Sequence, residues 1–296
     1  MGMDMALLKA VSRSFYLSMV WLPPVMRRGI ALGYMLARAT DSVADTSTAD
    51  TARRVEVLQQ MGRAIAGELP AEEKAELLWV LRGEMADAQV KPSEAILLRR
   101  FGECLEQLLQ TSPVEQQLLR RVLATIVEGQ LWDLTYFADR FEVESDEETR
   151  RYTYMVAGCV GAFWTELGLA TMGSLFCPPE RRDVMVQAGI RYGQGLQLVN
   201  ILRDMAEDAE RGRAYLCSNP VVWRERAARY LEDGLDYARR LEDFRLRLTA
   251  MLPALLGLRT LRLIAQRSGM ERVKISRLSV YACLLQGVWL SAWKKR

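Results

Sequence analysis

Apolar residues recur at spacings of three and four along nearly the whole chain, with strong helix formers between them. No run of alternating β-branched residues interrupts the pattern, so an all-α protein is expected. Helix-stopping and turn residues punctuate it at Pro23-Pro24, Thr46-Ser47-Thr48, Leu69-Pro70, Lys91-Pro92-Ser93, Thr111-Ser112-Pro113, Glu142 to Glu148, Cys177-Pro178-Pro179, Gly212, Asn219-Pro220, Pro253 and Ser268-Gly269. About nine or ten helices follow from these breaks. There is no Gly/Ser-rich linker and no 20–50-residue repeat, so residues 1–296 read as a single helical domain.

Three of the expected helices are unusual. Ile30 to Asp45 carries Arg38, Asp41 and Asp45 as its charged residues, all on one stripe. A helix from about Glu180 to Arg211 would run roughly 48 Å at 1.5 Å per residue. It is uncharged from Tyr192 to Leu202, then delivers Arg203, Asp204, Glu207 and Asp208 in a burst, with Gly212 as the stop. The third, about Glu148 to Gly173, is uncharged from Tyr152 to Thr165 and rich in small residues such as Ala157, Gly158, Gly161 and Ala162. Small residues serve close helix contacts or leave room for a ligand.

Composition narrows the chemistry. Lys+Arg 40 against Asp+Glu 37 gives a net charge of +3, too balanced to imply nucleic-acid binding. The chain has no histidine, which removes the commonest general base, the usual zinc nitrogen ligand and every Ser-His or Cys-His arrangement. A metal here is expected to be hard and oxygen-ligated, magnesium or manganese. The cysteines, Cys104, Cys159, Cys177, Cys217 and Cys283, are odd in number and never in a C-x-x-C arrangement, which fits a reducing cytoplasm. The N-terminal residues lack the pattern of a signal peptide. No segment reaches about 20 apolar residues, so no membrane span is expected. Leu278 to Trp293 comes nearest, and an amphipathic core helix is preferred there over one lying on a membrane surface. Peripheral membrane contact is the most that is expected, and nothing demands more than a monomer.

Two carboxylate pairs remain to be explained. Asp41/Asp45 and Asp204/Asp208 share the same spacing, and residues four apart stack on one helix face, where like charges repel. One such motif reads as a solvated surface helix with Arg–Asp pairing. Two copies emerging from apolar helices read better as walls that share a cation, with magnesium bridging to phosphate oxygens and Arg38 and Arg203 taking the remaining phosphate charge. Magnesium and diphosphate beside an apolar cavity suggest prenyl-diphosphate chemistry, which needs no activated nucleophile.

The segments Ser12-Arg13-Ser14-Phe15, Tyr34-Met-Leu-Ala-Arg38-Ala-Thr-Asp41-Ser-Val-Ala-Asp45, Tyr152-Thr-Tyr-Met-Val-Ala-Gly158 and Gln197-Leu-Val-Asn200-Ile-Leu-Arg203-Asp204-Met-Ala-Glu207-Asp208 resemble the squalene/phytoene synthase family, in family order and over most of the chain. The resemblance implies an isoprenoid-synthase-type helical bundle with a central apolar cavity and aspartate-rich motifs on opposing walls. It implies head-to-head condensation of two farnesyl diphosphates through presqualene diphosphate. Asp41, Asp45, Asp204 and Asp208 would then be magnesium ligands, supported by Glu207. Ser12, Arg13, Tyr34, Arg38, Gln197, Asn200, Arg203 and Arg213 match positions that contact diphosphate or its water network. Tyr152 matches the tyrosine assigned proton transfer, and Phe15 either faces the carbocation or packs as core.

The Ser-Arg-Ser-Phe opening and the late Val273-Lys274-Ile275-Ser276-Arg277 are more similar to the squalene type, in which such a segment contributes to NADPH binding. Lys274 and Arg277 are therefore the expected nucleotide contacts, and squalene is the expected product. The alternatives are presqualene diphosphate, dehydrosqualene or phytoene made without reductant, a terpene cyclase, or a non-catalytic lipid-binding or scaffold protein. Two positions depart from the family pattern. Ala44 stands where some relatives have glutamate, and Cys217 stands where many have proline, which would leave the loop after Gly212 less restrained.

Overall fold

Local sequence chemistry sets most helix starts. Pro24, Pro92, Pro113 and Pro220 each open a helix, where a missing N–H costs nothing and the fixed φ is already helical. Ser145 caps the next helix with a reciprocal Ser145/Glu148 box, which explains why the acidic stretch initiates a helix at Asp146. These features belong to a computed structural model that describes residues 5–12, 15–46, 48–266 and 272–292, the side chains of Phe15 and Leu17 excepted. Arg13 and Trp293 lie outside the described residues, as does the Phe15 side chain.

The described residues form fourteen α-helices and no strand; the only β-type pairing among them is an isolated parallel bridge between Glu142 and Ala214. That exceeds the nine or ten expected, because some breaks carry no proline or glycine. Arg100, for example, separates two helices at φ −104, ψ 13, with its guanidinium turned onto Glu103. The opposite error occurs at Pro253, which lies inside a continuous helix and does not break it.

The chain divides into two compact units, Met1–Val20 with Pro24–Ala138, and Trp21–Pro23 with Asp139–Arg296. The first contains α1 (Met5–Ser12), α2 (Phe15–Trp21), α3 (Pro24–Ala44), α4 (Thr51–Ala66), α5 (Ala71–Val80), α6 (Pro92–Arg99), α7 (Phe101–Leu109) and nearly all of α8 (Pro113–Asp139). Leu36 and Val43 of α3 pack in a core with fully buried Val57, Leu58 and Met61 of α4 and Leu97, Leu98 and Phe101. This burial fixes which face of α3 is turned outward, and Arg38, Asp41 and Asp45 occupy it.

The second unit contains α9 (Asp146–Thr153), α10 (Cys159–Met172), α11 (Arg182–Glu210), α12 (Pro220–Arg239), α13 (Phe244–Gln266) and α14 (Arg277–Ala292). A π-helical turn, Tyr154–Gly158, joins α9 to α10. The small residues are used for contact: a Cβ on Gly161 would lie 1.9 Å from the Gly189 carbonyl oxygen, and one on Gly193 would lie 2.2 Å from that of Ala157. Gly161→Val should therefore lower stability by about 1–3 kcal/mol or more, because backbone cannot yield as a side chain can. Thermal unfolding measures this, and an unchanged midpoint would show that the two helices do not touch here.

Asp146–Leu175 and Phe244–Gln266 are long and apolar enough by composition to cross a membrane, although no span was expected. Isolated charges such as Glu166 in the first stretch and Arg259 in the second interrupt what would otherwise be long apolar runs. In the fold, Leu246, Met251, Ala254 and Leu261 of α13 are core residues. The expectation of a core helix at Leu278 to Trp293 holds for one face of α14 only: Cys283, Gly287 and Ser291 are buried and Leu284 and Leu290 pack against the core, whereas Leu278, Tyr281, Leu285 and Trp289 face outward.

Candidate active site

Both carboxylate motifs sit at the C-terminal ends of helices, Asp41 on α3 with Asp45 just past its last residue, and Asp204/Asp208 on α11, and neither helix has a basic residue in its last turn. Helix C-termini carry partial negative charge, so acids there are unfavourable by about 0.3–1 kcal/mol each. Each motif thus adds its own charge to a negative helix end, an arrangement that favours a cation.

In the first unit, the Arg38 guanidinium donates to Asp41 through Nη1 and to Glu94 through Nη2. Lys91 Nζ also donates to Glu94, at 2.9 Å. Arg38 Nε is buried and has no acceptor. Tyr34, one turn earlier on the same stripe, donates to the Val11 carbonyl at 3.1 Å. Burial, then the charge of Asp45, push the Asp41 carboxyl up to about 7, and Arg38 only partly offsets them. Yet the Asp41 side chain keeps 41 % of its surface open, so it is recessed among protein atoms while still reachable. Ser12 is turned away, buried with its hydroxyl donating to Leu8 O at 2.5 Å.

In the second unit, Arg203 forks onto the neighbouring Asp204 with Nε–Oδ1 2.8 Å and Nη2–Oδ2 2.6 Å. Arg272 approaches the same carboxylate, Nε to Oδ1 2.8 Å, and donates through Nη1 to Glu207 at 3.2 Å. Gln197 and Asn200 lie on the preceding turns, joined at 3.3 Å. Beyond α11 the chain turns at Gly212, whose φ of +75° suits glycine. Arg213 follows, its N–H bonded to Asp208 O at 2.9 Å.

Tyr152 lies on α9. Its ring stacks on Tyr215, centroids 4.8 Å apart and planes at 13°. Tyr215 is held in turn by Thr149, whose hydroxyl donates to its carbonyl at 2.8 Å. The loop that lacks a proline at Cys217 is thus restrained by other means, including main-chain bonds from Val143 to Ala214 and from Ala214 to Phe141. Lys274 is exposed in an irregular segment, and Arg277 is the first residue of α14. Arg272 lies two residues before Lys274, so this stretch reaches the Asp204 motif.

Sequence reasoning missed Glu94, Lys91, Arg272 and Tyr215. Only Arg272 left a signal, as one more cation in the segment already singled out by Lys274 and Arg277.

With this geometry in view, the squalene/phytoene synthase family model matches residues 8–219, which include both carboxylate motifs and Tyr152. The chain belongs to the squalene/phytoene synthase family. It is 32% identical over 208 residues to a 15-cis-phytoene synthase of Synechocystis sp., covering 69% of this chain and 52% of that protein. It is 27% identical over 217 residues to a squalene synthase of Eremothecium gossypii, covering 71% of this chain and 44% of the relative. The chain therefore spans about half the length of the curated relatives it matches. Solved structures share the isoprenoid-synthase-type helical fold. The TcSQS complex with E5700 superposes at TM-score 0.71 and 19% identity, over 97% of this chain and 87% of that one. A ligand complex of a dehydrosqualene synthase gives 0.67 at 19% identity, over 98% and 95%.

The donors present in this family member fit a hard divalent cation. They are carboxylate oxygens, each pair is a like-charged i,i+4 set at a negative helix end, and arginines lie on Asp41 and Asp204. Among the described residues no three potential ligands gather into a closed cage. Magnesium commonly takes one or two carboxylates and completes its shell with water and phosphate oxygens, so pairs suffice.

Proposed function

We propose that this chain condenses two farnesyl diphosphates head to head into presqualene diphosphate and reduces that product to squalene with NADPH. The observation that carries the diphosphate part is the pairing of each acidic helix end with arginine, Arg38 on one and Arg203 on the other. The sequence features of the squalene type carry the reductive part. In the first half-reaction the double bond of one farnesyl chain attacks the carbon that loses diphosphate, and loss of a proton from that carbon forms the second carbon–carbon bond and closes the cyclopropane. In the second, the remaining diphosphate leaves and NADPH supplies a hydride.

Asp41, Asp45, Asp204 and Asp208, with Glu207 in support, would hold magnesium, which when bound withdraws charge from the diphosphate and makes it a better leaving group. Arg38, Arg203 and Arg213 would orient phosphate oxygens by charge-assisted hydrogen bonds, and Arg38 Nε offers a donor that protein acceptors leave unmet. Gln197 and Asn200 would arrange the surrounding water, and Tyr34 would bound the pocket. Tyr152 would take the proton released as the cyclopropane closes. Lys274 and Arg277 would contact the nucleotide.

Purified protein given farnesyl diphosphate and magnesium, with and without NADPH, separates the readings by product mass. Squalene only when NADPH is present is the expected result. Squalene unaffected by omitting NADPH would sink the reductase assignment. A reductant-free second reading is favoured by the phytoene synthases among the relatives; it requires the same product mass with and without NADPH, from farnesyl or geranylgeranyl diphosphate. A cyclic product from one diphosphate would indicate a cyclase.

Arg272 enters this scheme as a cation that lies on Asp204 and Glu207 and is near enough to pass to diphosphate. Arg272→Ala should raise KM for farnesyl diphosphate about tenfold, as expected for loss of one charged hydrogen bond. Steady-state kinetics test this; an unchanged KM would confine Arg272 to a structural ion pair.

A further inference from the structure

The outward face of α14 is apolar along its whole length. Leu278 is 81 % exposed, Tyr281 61 %, Leu285 73 % and Trp289 63 %, with Val288 beside them, and the steps of three and four place all five on one stripe. The helix cannot rotate to hide them. Its inner face, Cys283, Gly287 and Ser291, is seated on α13, with Leu248 and Leu255 against Gly287. Buried Arg247 of α13 donates to the Ser291 carbonyl at 2.9 Å, and Ser291 Oγ lies 3.4 Å from Met251 Sδ.

The surroundings are cationic. Between Phe244 and Ala292 the sequence carries eight Arg or Lys residues and one acidic residue, Glu271; Arg247 is buried and Arg272 is paired with Asp204 and Glu207, whereas Arg245, Arg259, Arg262, Lys274 and Arg277 are exposed. Exposed Arg259 and Arg262 of α13 lie close enough to α14 for their charges to act on Cys283. A second copy of this chain seated on the stripe by a twofold would bring like charges together. An anionic lipid surface instead complements them, and a stripe of Leu, Tyr and Trp beside basic residues suits the interface between headgroup and acyl chain.

We propose that the outer face of α14 is a docking surface for an anionic lipid bilayer. The helix lies in the interface plane, Leu278, Tyr281, Leu285 and Trp289 enter the acyl boundary, and Arg259 and Arg262 meet anionic headgroups. This assignment does not depend on which product the enzyme makes.

Flotation of the whole protein with vesicles of phosphatidylcholine alone, or with added phosphatidylglycerol, tests it. The wild type should float with the anionic vesicles, and raising the salt should weaken this. Leu285→Glu with Trp289→Glu should reduce binding at least about tenfold, and Arg259→Gln with Arg262→Gln should reduce it about fivefold per arginine. All four residues are outside the candidate active site, so turnover of dispersed farnesyl diphosphate serves as the folding control and should be unchanged. No flotation of the wild type, or equal flotation of the Leu285/Trp289 variant, overturns the proposal. A wild-type dimer in sedimentation that the same variant dissociates, without vesicle binding, overturns it in favour of a second copy.

Discussion

Asp41→Asn is expected to lower turnover of farnesyl diphosphate by at least about a thousandfold, the size seen when a preorganised charge-stabilising group is removed from a catalytic site. The same substitution should make the metal-free protein more stable above neutral pH. Burial and the Asp45 charge raise the Asp41 carboxyl from 3.8 to about 7, so between those values the folded state binds a proton that the unfolded chain has lost. Stability from this group is therefore present below about 4, falls as pH rises toward 7 and stays low above it. Asparagine cannot ionise, so the variant should lose this part of the pH dependence. Its melting midpoint at pH 8 should rise by about 2–4 °C for each kcal/mol recovered. Asp204→Asn should impair turnover equally but without the stability gain, because it removes the charge that Arg203 and Arg272 share and the oxygen that accepts from Arg203 Nη2. Full turnover in both variants would dismiss the metal reading. Magnesium should raise the wild-type midpoint and leave that of Asp41→Asn nearly unmoved.

Tyr152→Phe is the second large effect. Loss of a positioned proton carrier costs about 10²–10⁴ in rate, whereas the ring and its stack on Tyr215 survive the substitution. Condensation should therefore collapse at unchanged melting temperature. Tyr152→Leu removes the stack as well and should lower both. If Phe at this position sustains normal formation of presqualene diphosphate, the proton leaves by another route, and Tyr152 is a packing residue.

Much of this was legible in the chain itself. Three-and-four periodicity is repeated so often that the all-α class survives local ambiguity, and the long α11 was located within a residue or two because prolines precede it and Gly212 ends it. Other boundaries depend on tertiary packing. Pro253 is carried through by a helix buried between neighbours, and the α6–α7 break is made by Arg100, a residue with no intrinsic reason to stop a helix. For the site, periodicity placed Tyr34, Arg38, Asp41 and Asp45 on one stripe because neighbours on a helix are fixed by spacing. Partners from distant segments follow no such rule: Glu94 is 56 residues from Arg38, and Arg272 is 65 from Glu207. Ser12 illustrates the converse, a motif residue whose hydroxyl is spent on its own helix.

A short connection follows α11. Asp208, Arg213 and Tyr215 are consecutive stations on one stretch of backbone, fastened by the Ala214 bridge and ending under the Tyr152 ring. A lengthened or loosened loop there would displace the Tyr215 ring that stacks on Tyr152 while leaving Asp41, Asp204 and Asp208 on their own helices. Ionisation without orderly ring closure is the fault such a variant should show. An insertion between Ala214 and Tyr215, beyond Arg213, should therefore alter what is made more than whether substrate is consumed.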